Sequence, residues 1–252
     1  MKTAFLLTAA AIAALAAPQA HASSKAFNLS GFDKISASSH VTVIVRQGPY
    51  SVQVSEPEGR FGDLILEVRG STLVASRQPQ YGWVWDWGWG RDQPEYTITV
   101  SAPAWSQVEA YSHAGVSLNV AAPALTVTAS DHASVSGAIS SPALTLTVSS
   151  HANVTGTLAG QAVVLRASDH AGVRLSGQCA SIEIAASAHA DVEGQGLKCD
   201  TARIEAMDHA GVQIWAARQA QARASSHADI QVYGQPSSLQ QTALDHASVN
   251  RR

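Results

Sequence analysis

Leu125-Thr-Val-Thr-Ala-Ser-Asp-His-Ala-Ser-Val135 is followed nineteen residues later by Leu144-Thr-Leu-Thr-Val-Ser-Ser-His-Ala-Asn-Val154, and the phrase keeps returning to the end of the chain. Its histidines are His113, His132, His151, His170, His189, His209, His227 and His246, spaced 19, 19, 19, 19, 20, 18 and 19 residues apart. Ala follows each of them, and Val or Ile stands three positions after each. A fixed period near twenty residues marks a structural unit stacked on copies of itself. Within one unit the apolar residues alternate, as in Leu125, Val127, Ala129, Ala133 and Val135, which is the pattern of strands with one face inward. Antiparallel hairpins would need a turn signal at every reversal, and the repeat does not supply them. The prediction is an all-β chain folded as a parallel β-helix, a solenoid of about eight 19-residue rungs. The rungs would lie ~4.8 Å apart, right-handed by the general preference of parallel crossovers.

The flanking sequence sets the boundaries. Met1-Lys2, an apolar run from Thr3 to Ala17, Pro18 and then Ala20-His21-Ala22 read as a secretory signal over residues 1–22, cut after Ala22. The run is shorter than the ~20 apolar residues a membrane span needs, and no later segment approaches that length. The expected location is periplasmic or extracellular. Residues 23–105 lack the repeat and show short strand-like runs divided by Gly48-Pro49, Pro57-Glu-Gly59, Gly70 and Gln78-Pro79. They read as an irregular β-rich region capping the first rung, with residues 106–252 forming the rungs proper. Charged residues are 14% of the chain and the net charge is −3, which argues against nucleic acid as a partner. Open solenoid ends also leave end-to-end association of copies available.

Parity places the Ala after each His inward and the His itself outward. The residue before each His falls on the inward parity, at a corner, and that row reads Ser112, Asp131, Ser150, Asp169, Ala188, Asp208, Ser226, Asp245. Its plain reading is capping of backbone amides at a tight turn. Carboxylates on adjacent rungs would repel, which accounts for the alternation of acid and neutral residues. The outward His row has three readings. Like rings on stacked rungs can form a ladder. Neutral imidazole is also a common metal ligand, so the row could hold Zn, Cu or Ni, with Asp191 and Asp229 completing a shell. Or the row is a pH-sensitive or partner-contacting surface. His40, in Ser38-Ser-His-Val-Thr-Val43, lacks the following Ala and is left out of the row.

Cys179 and Cys199 fall at equivalent places on consecutive rungs, within the ~4.4–6.8 Å Cα range a disulfide requires. Tyr81-Gly-Trp-Val-Trp-Asp-Trp-Gly-Trp89 sets Trp83, Trp85, Trp87 and Trp89 at alternate positions. Together with Tyr81 they form either an aromatic platform for a glycan, partner or membrane interface, or a cover for the solenoid. Trp105 and Trp215 stand singly and read as packing residues.

Phe32-Asp-Lys-Ile35, Val41-Thr-Val43, Gln47-Gly48, Tyr50-Ser-Val-Gln-Val54, Ile98-Thr-Val100 and Tyr233-Gly-Gln-Pro236 resemble the family named putative auto-transporter adhesin, head GIN domain. The family's repeat has S-G-S-G-D-[VI], where this chain has forms such as Ser130-Asp-His-Ala-Ser-Val135. The resemblance implies a secreted β-helical protein of bacterial envelopes. It leaves any role of the Gly-rich corner behind. The functional expectation is a non-enzymatic, adhesin-like binding module whose partner is a surface glycan or an envelope protein. The alternative is a periplasmic metal-binding protein using the His row. A carbohydrate-active enzyme ranks below both, because no acid–base pair stands apart from the repeat and no catalytic residue is assigned.

Overall fold

A computed structural model describes residues 23–78 and 95–252. Among them the chain forms eighteen strands and no helix. The strands stack as a parallel β-solenoid. Gly115–Ala121 and Ala124–Ala129 make one coil, and in the next two coils the strands run on as Ser134–Val148 and Asn153–Ala167. Pairing is parallel and in register, with Val135 opposite Val154, Leu144 opposite Val163 and Leu146 opposite Leu165. The same columns continue through Gly172–Ala186, Asp191–Ala206 and Gly211–Ala224 to Ser238–Ala243 and Ser248–Arg251.

The core is a single cluster of these columns, and each fully buried Val, Leu or Ile contributes roughly 1.5–3 kcal/mol. Thr126, Thr128, Thr145 and Thr147 alternate with them on the outer face, half-buried. One bend in the coil requires glycine. Gly137 has φ +135°, and a Cβ there would run into the carbonyl oxygen of Leu118 on the preceding coil.

Parallel stacking extends further toward the N-terminus than the spacing suggests. Lys34–Ala37 and Thr42–Gln47 lie parallel on Gln107–Ala110 and Gly115–Ala121. Thr72–Arg77 and Thr97–Ala102 lie parallel on the other side of that coil. Where an irregular cap was expected, two layers follow the coil path. Only beyond them does the pairing turn antiparallel, through Ser51–Glu56, Leu64–Arg69 and Ser23–Phe27. These antiparallel strands cover an edge that parallel coils alone would leave open.

The residues of the family-like opening pack where that stacking begins. Phe32 and Ile35 are buried. The Gln47 amide donates to the Pro103 carbonyl at 3.0 Å and accepts from the Ala121 amide at 3.1 Å, bridging coils at a corner. Trp105 is buried, and its indole N–H donates to the Arg46 carbonyl at 2.9 Å. Trp215 is half-buried, with the Lys198 ammonium 5.5 Å from its ring. Cys179 and Cys199 face each other in the ladder and are bonded, with Cα atoms 4.5 Å apart.

Candidate functional site

Each His sits in a four-residue turn of one design. Ser130, Asp131, His132 and Ala133 are typical: the Ala133 amide donates back to the Ser130 carbonyl at 3.1 Å, with φ of 53° at Asp131 and 63° at His132. Two consecutive residues at positive φ define the tight reversal usually made by Asn-Gly. The same pair recurs from Ser112-His113 to Asp245-His246. Successive turns are laced together, since the His132 amide donates to the Ser150 carbonyl and the His151 amide to the Asp169 carbonyl, both at 3.0 Å. Ala after the His is buried in each copy from Ala114 to Ala228, so the turn backs directly onto the core.

This geometry corrects the parity argument. Counting by twos assumes extended backbone, and two left-handed residues break the count. Asp131, Asp169, Asp208 and Asp245 are therefore exposed rather than inward. Two of these carboxylates turn toward the preceding hydroxyl: Ser130 Oγ donates to Asp131 at 3.1 Å and Ser168 Oγ to Asp169 at 2.9 Å.

The imidazoles stand outside as one file. From His113 to His246, successive ring centroids are 4.9–5.3 Å apart and successive planes differ by 2°–29°. His40 belongs to the file as well, stacked on His113 with centroids 4.7 Å apart and planes 5° apart. Its turn uses Ser39 and His40 at φ 62° and 63°. The signal that identifies it in the sequence is Val43, three positions after the His, as in the other copies.

The next layer beyond His40 is Thr72–Arg77 and Thr97–Ala102, and the sequence between these two strands contains no His. Tyr81, Trp83, Trp85, Trp87 and Trp89 belong to that connection and lie outside the described residues.

Chemically, the file offers ring edges. Stacking uses the faces, and near-parallel planes send the nitrogen lone pairs side by side rather than toward a common point. Bonds of ~2.0–2.1 Å to one ion need converging nitrogens, so adjacent rings in this arrangement do not chelate. Among the described residues no group of three or more His, Cys, Asp and Glu surrounds a shared position. The two acids considered as co-ligands are placed differently. Asp229 accepts from Ser248, from Gln231 at 3.0 Å and from Asn250 at 3.3 Å. Burial works to raise its carboxyl, but these bonds hold it below the ordinary value. Asp191 is pushed up, by burial first and by the Glu193 charge second, with Arg174 opposing. Among the described residues no carboxylate forms an ion pair with an imidazole.

The sequence matches the family described as putative auto-transporter adhesin, head GIN domain, over residues 31–236. The chain belongs to that family. Solved structures share the fold. A putative adhesin from Parabacteroides merdae has TM-score 0.80 at 14% identity, covering 91% of this chain and 95% of its own. A putative adhesin from Parabacteroides distasonis has TM-score 0.80 at 14% identity, covering 91% and 96%. A putative lipid binding protein from the same species has TM-score 0.79 at 12% identity, also covering 91% and 96%. No curated protein matches the sequence. At such identities the likeness to these structures concerns the fold alone.

Proposed function

We propose that this GIN-domain chain is a non-enzymatic binding module of the bacterial envelope or extracellular space, and that the imidazole file is its contact surface. One observation carries the reading. A turn with two positive-φ residues is least strained with glycine, and a non-glycine residue there costs about 1 kcal/mol or more. The chain nevertheless keeps His at this position from His40 to His246. The turn does not need imidazole, and every ring of the file stands exposed, which supports a role directed outward. A site repeated on every coil suits adhesion to an extended partner better than catalysis, which concentrates on one constellation. The Met1–Ala22 signal pattern and the Cys179–Cys199 bond support export to an oxidising compartment. The Trp83–Trp89 segment, with its alternate tryptophans, is a second candidate contact for a glycan or envelope protein.

The test is binding of the Ser23–Arg252 chain to a bacterial glycan array at neutral pH. Wild type is compared with His132→Asn/His151→Asn/His170→Asn, which keeps residues tolerant of positive φ. Binding lost in the triple variant supports the file as the surface. Binding unchanged in it but lost when the four Trp are changed to Ala moves the contact to the Trp segment. No binding by wild type overturns the reading.

A further inference from the structure

The file has a regular pitch and exposed edges, and the geometry points to a ligand class. We infer that the imidazole file is a binding edge for a linear acidic polysaccharide, engaged when the rings take up protons. This rests on the file being the contact surface.

Imidazole is the side chain that gains charge between neutral pH and about pH 5. With its rings protonated the file is a row of cations at the 4.7–5.3 Å pitch set by the coils. The charged side chains nearest it in the sequence are acidic. Within the turns they are Asp131, Asp169, Asp208 and Asp245, and two residues beyond a His they are Asp191 and Asp229. No carboxylate among the described residues pairs with a ring, and Asp131 and Asp169 are occupied by Ser130 and Ser168. Protonated neighbours this close repel one another. A partner carrying one carboxylate per residue relieves that repulsion along the whole row, so binding and proton uptake reinforce each other.

Spacing and stacking select among linear polyanions. An extended acidic peptide presents same-side groups every two residues, ~6.6–6.8 Å, which drifts out of phase with the file. Single-stranded nucleic acid relies on aromatic faces for its bases, and here each ring's faces are taken by its neighbours. A chain of sugar acids presents carboxylates and hydroxyls on rigid rings, which the exposed imidazole edges can bond without using their stacked faces.

The experiment measures affinity of the Ser23–Arg252 chain for alginate oligomers in calcium-free buffer at about pH 5 and about pH 7.5. Neutral dextran and an oligodeoxynucleotide serve as comparators. Calorimetry in two buffers of different ionisation enthalpy reads proton uptake. The expected result is affinity on the order of tenfold higher at the acid pH, falling steeply with salt, with net proton uptake. His132→Asn/His151→Asn/His170→Asn should lose most of the gain, whereas Arg223→Gln, off the file, should keep it. The inference is overturned by equal affinity at both pH values, by no proton uptake, by an equal loss in Arg223→Gln, or by oligonucleotide binding as tight as alginate binding. Alginate binding that is insensitive to pH but lost in the triple variant would retain the contact surface and remove this inference alone.

Discussion

His40 and His113 stack face to face, 4.7 Å between centroids and 5° between planes, although strands of two further layers lie between them in the chain. The chain makes the His40 coil, departs to build the layer of Thr72–Arg77 and Thr97–Ala102 on one side of it, and returns to place the His113 coil on the other. Neighbours in the file are thus set by the stack rather than by chain order. A column that survives such a detour reflects a requirement of the surface as well as repetition of the sequence.

The backbone at the turn gives the first prediction. His132 sits at φ 63°, where glycine is unstrained and a β-branched residue is an outlier. His132→Gly should change the unfolding free energy by less than about 1 kcal/mol, and His132→Val should lower it by about 1–2 kcal/mol more. Denaturant midpoints of the two variants decide the matter. Equal stabilities would mean that ring stacking, and not backbone conformation, governs this position.

The disulfide closes a loop of sequence separation 20 between paired positions on adjacent coils. Constraining the unfolded chain by such a loop stabilises by about 3 kcal/mol. Cys179→Ser/Cys199→Ser should lose about that amount, and reductant should reproduce the loss in wild type while leaving the variant unchanged. If reductant leaves wild-type stability untouched, the bond does not constrain the unfolded chain as described.

Much of this architecture is legible from residues alone, and the failures have specific causes. The period shows the coils because inward Val and Ala columns recur wherever the core does, and Cys179 and Cys199 align on the same ground. The Asp row is misplaced because strand parity holds only for extended backbone, and Asp-His, though tolerant of positive φ, is a weaker signal of two left-handed residues than Asn-Gly. His40 is missed because Val41 fills the core position that Ala takes elsewhere, which hides the phrase while leaving its geometry intact. The layer of Thr72–Arg77 and Thr97–Ala102 is hidden because the sequence between these strands carries no His phrase to mark a coil.

Gly137 tests the packing of one coil on the next. Its φ of +135° is closed to other residues, and a Cβ would collide with the Leu118 carbonyl, which is backbone and cannot swing aside. Gly137→Ala should destabilise by more than about 3 kcal/mol. Gly62→Ala, where a Cβ meets nothing within 4 Å, should be close to neutral. Thermal unfolding of the pair checks this, and a well-folded Gly137→Ala chain of wild-type stability would contradict the close approach of these coils.

Asp63 ties together the two ends of the 79–94 connection. Arg77 donates to its Oδ2 through Nη2 at 2.7 Å and Nε at 3.1 Å, and the Tyr96 hydroxyl donates to its Oδ1. Burial works to raise the Asp63 carboxyl, but the bonds from Tyr96 and Arg77 and the Arg77 charge outweigh it, leaving it below 3.8. Burial first, and then Asp63, push the Tyr96 phenol above its ordinary value of 10.0. A carboxyl depressed in the native state stabilises above its unfolded value, about 3.9, and that stabilisation fades as pH falls through the native value. A raised phenol stabilises below about pH 10, and its contribution is lost as pH rises through the native value. Their joint contribution should therefore be flat from about pH 5 to about pH 9 and decline on both sides. Asp63→Asn should cost about 3 kcal/mol at neutral pH, because the Arg77 guanidinium and the Tyr96 hydroxyl then face no carboxylate at this position. The difference in unfolding free energy between wild type and Asp63→Asn, measured against pH, cancels the titration of distant groups and isolates this pair. It should shrink as the solution is acidified below about pH 4. A difference that stays constant down to about pH 2 would show that Asp63 is not held ionised by Tyr96 and Arg77.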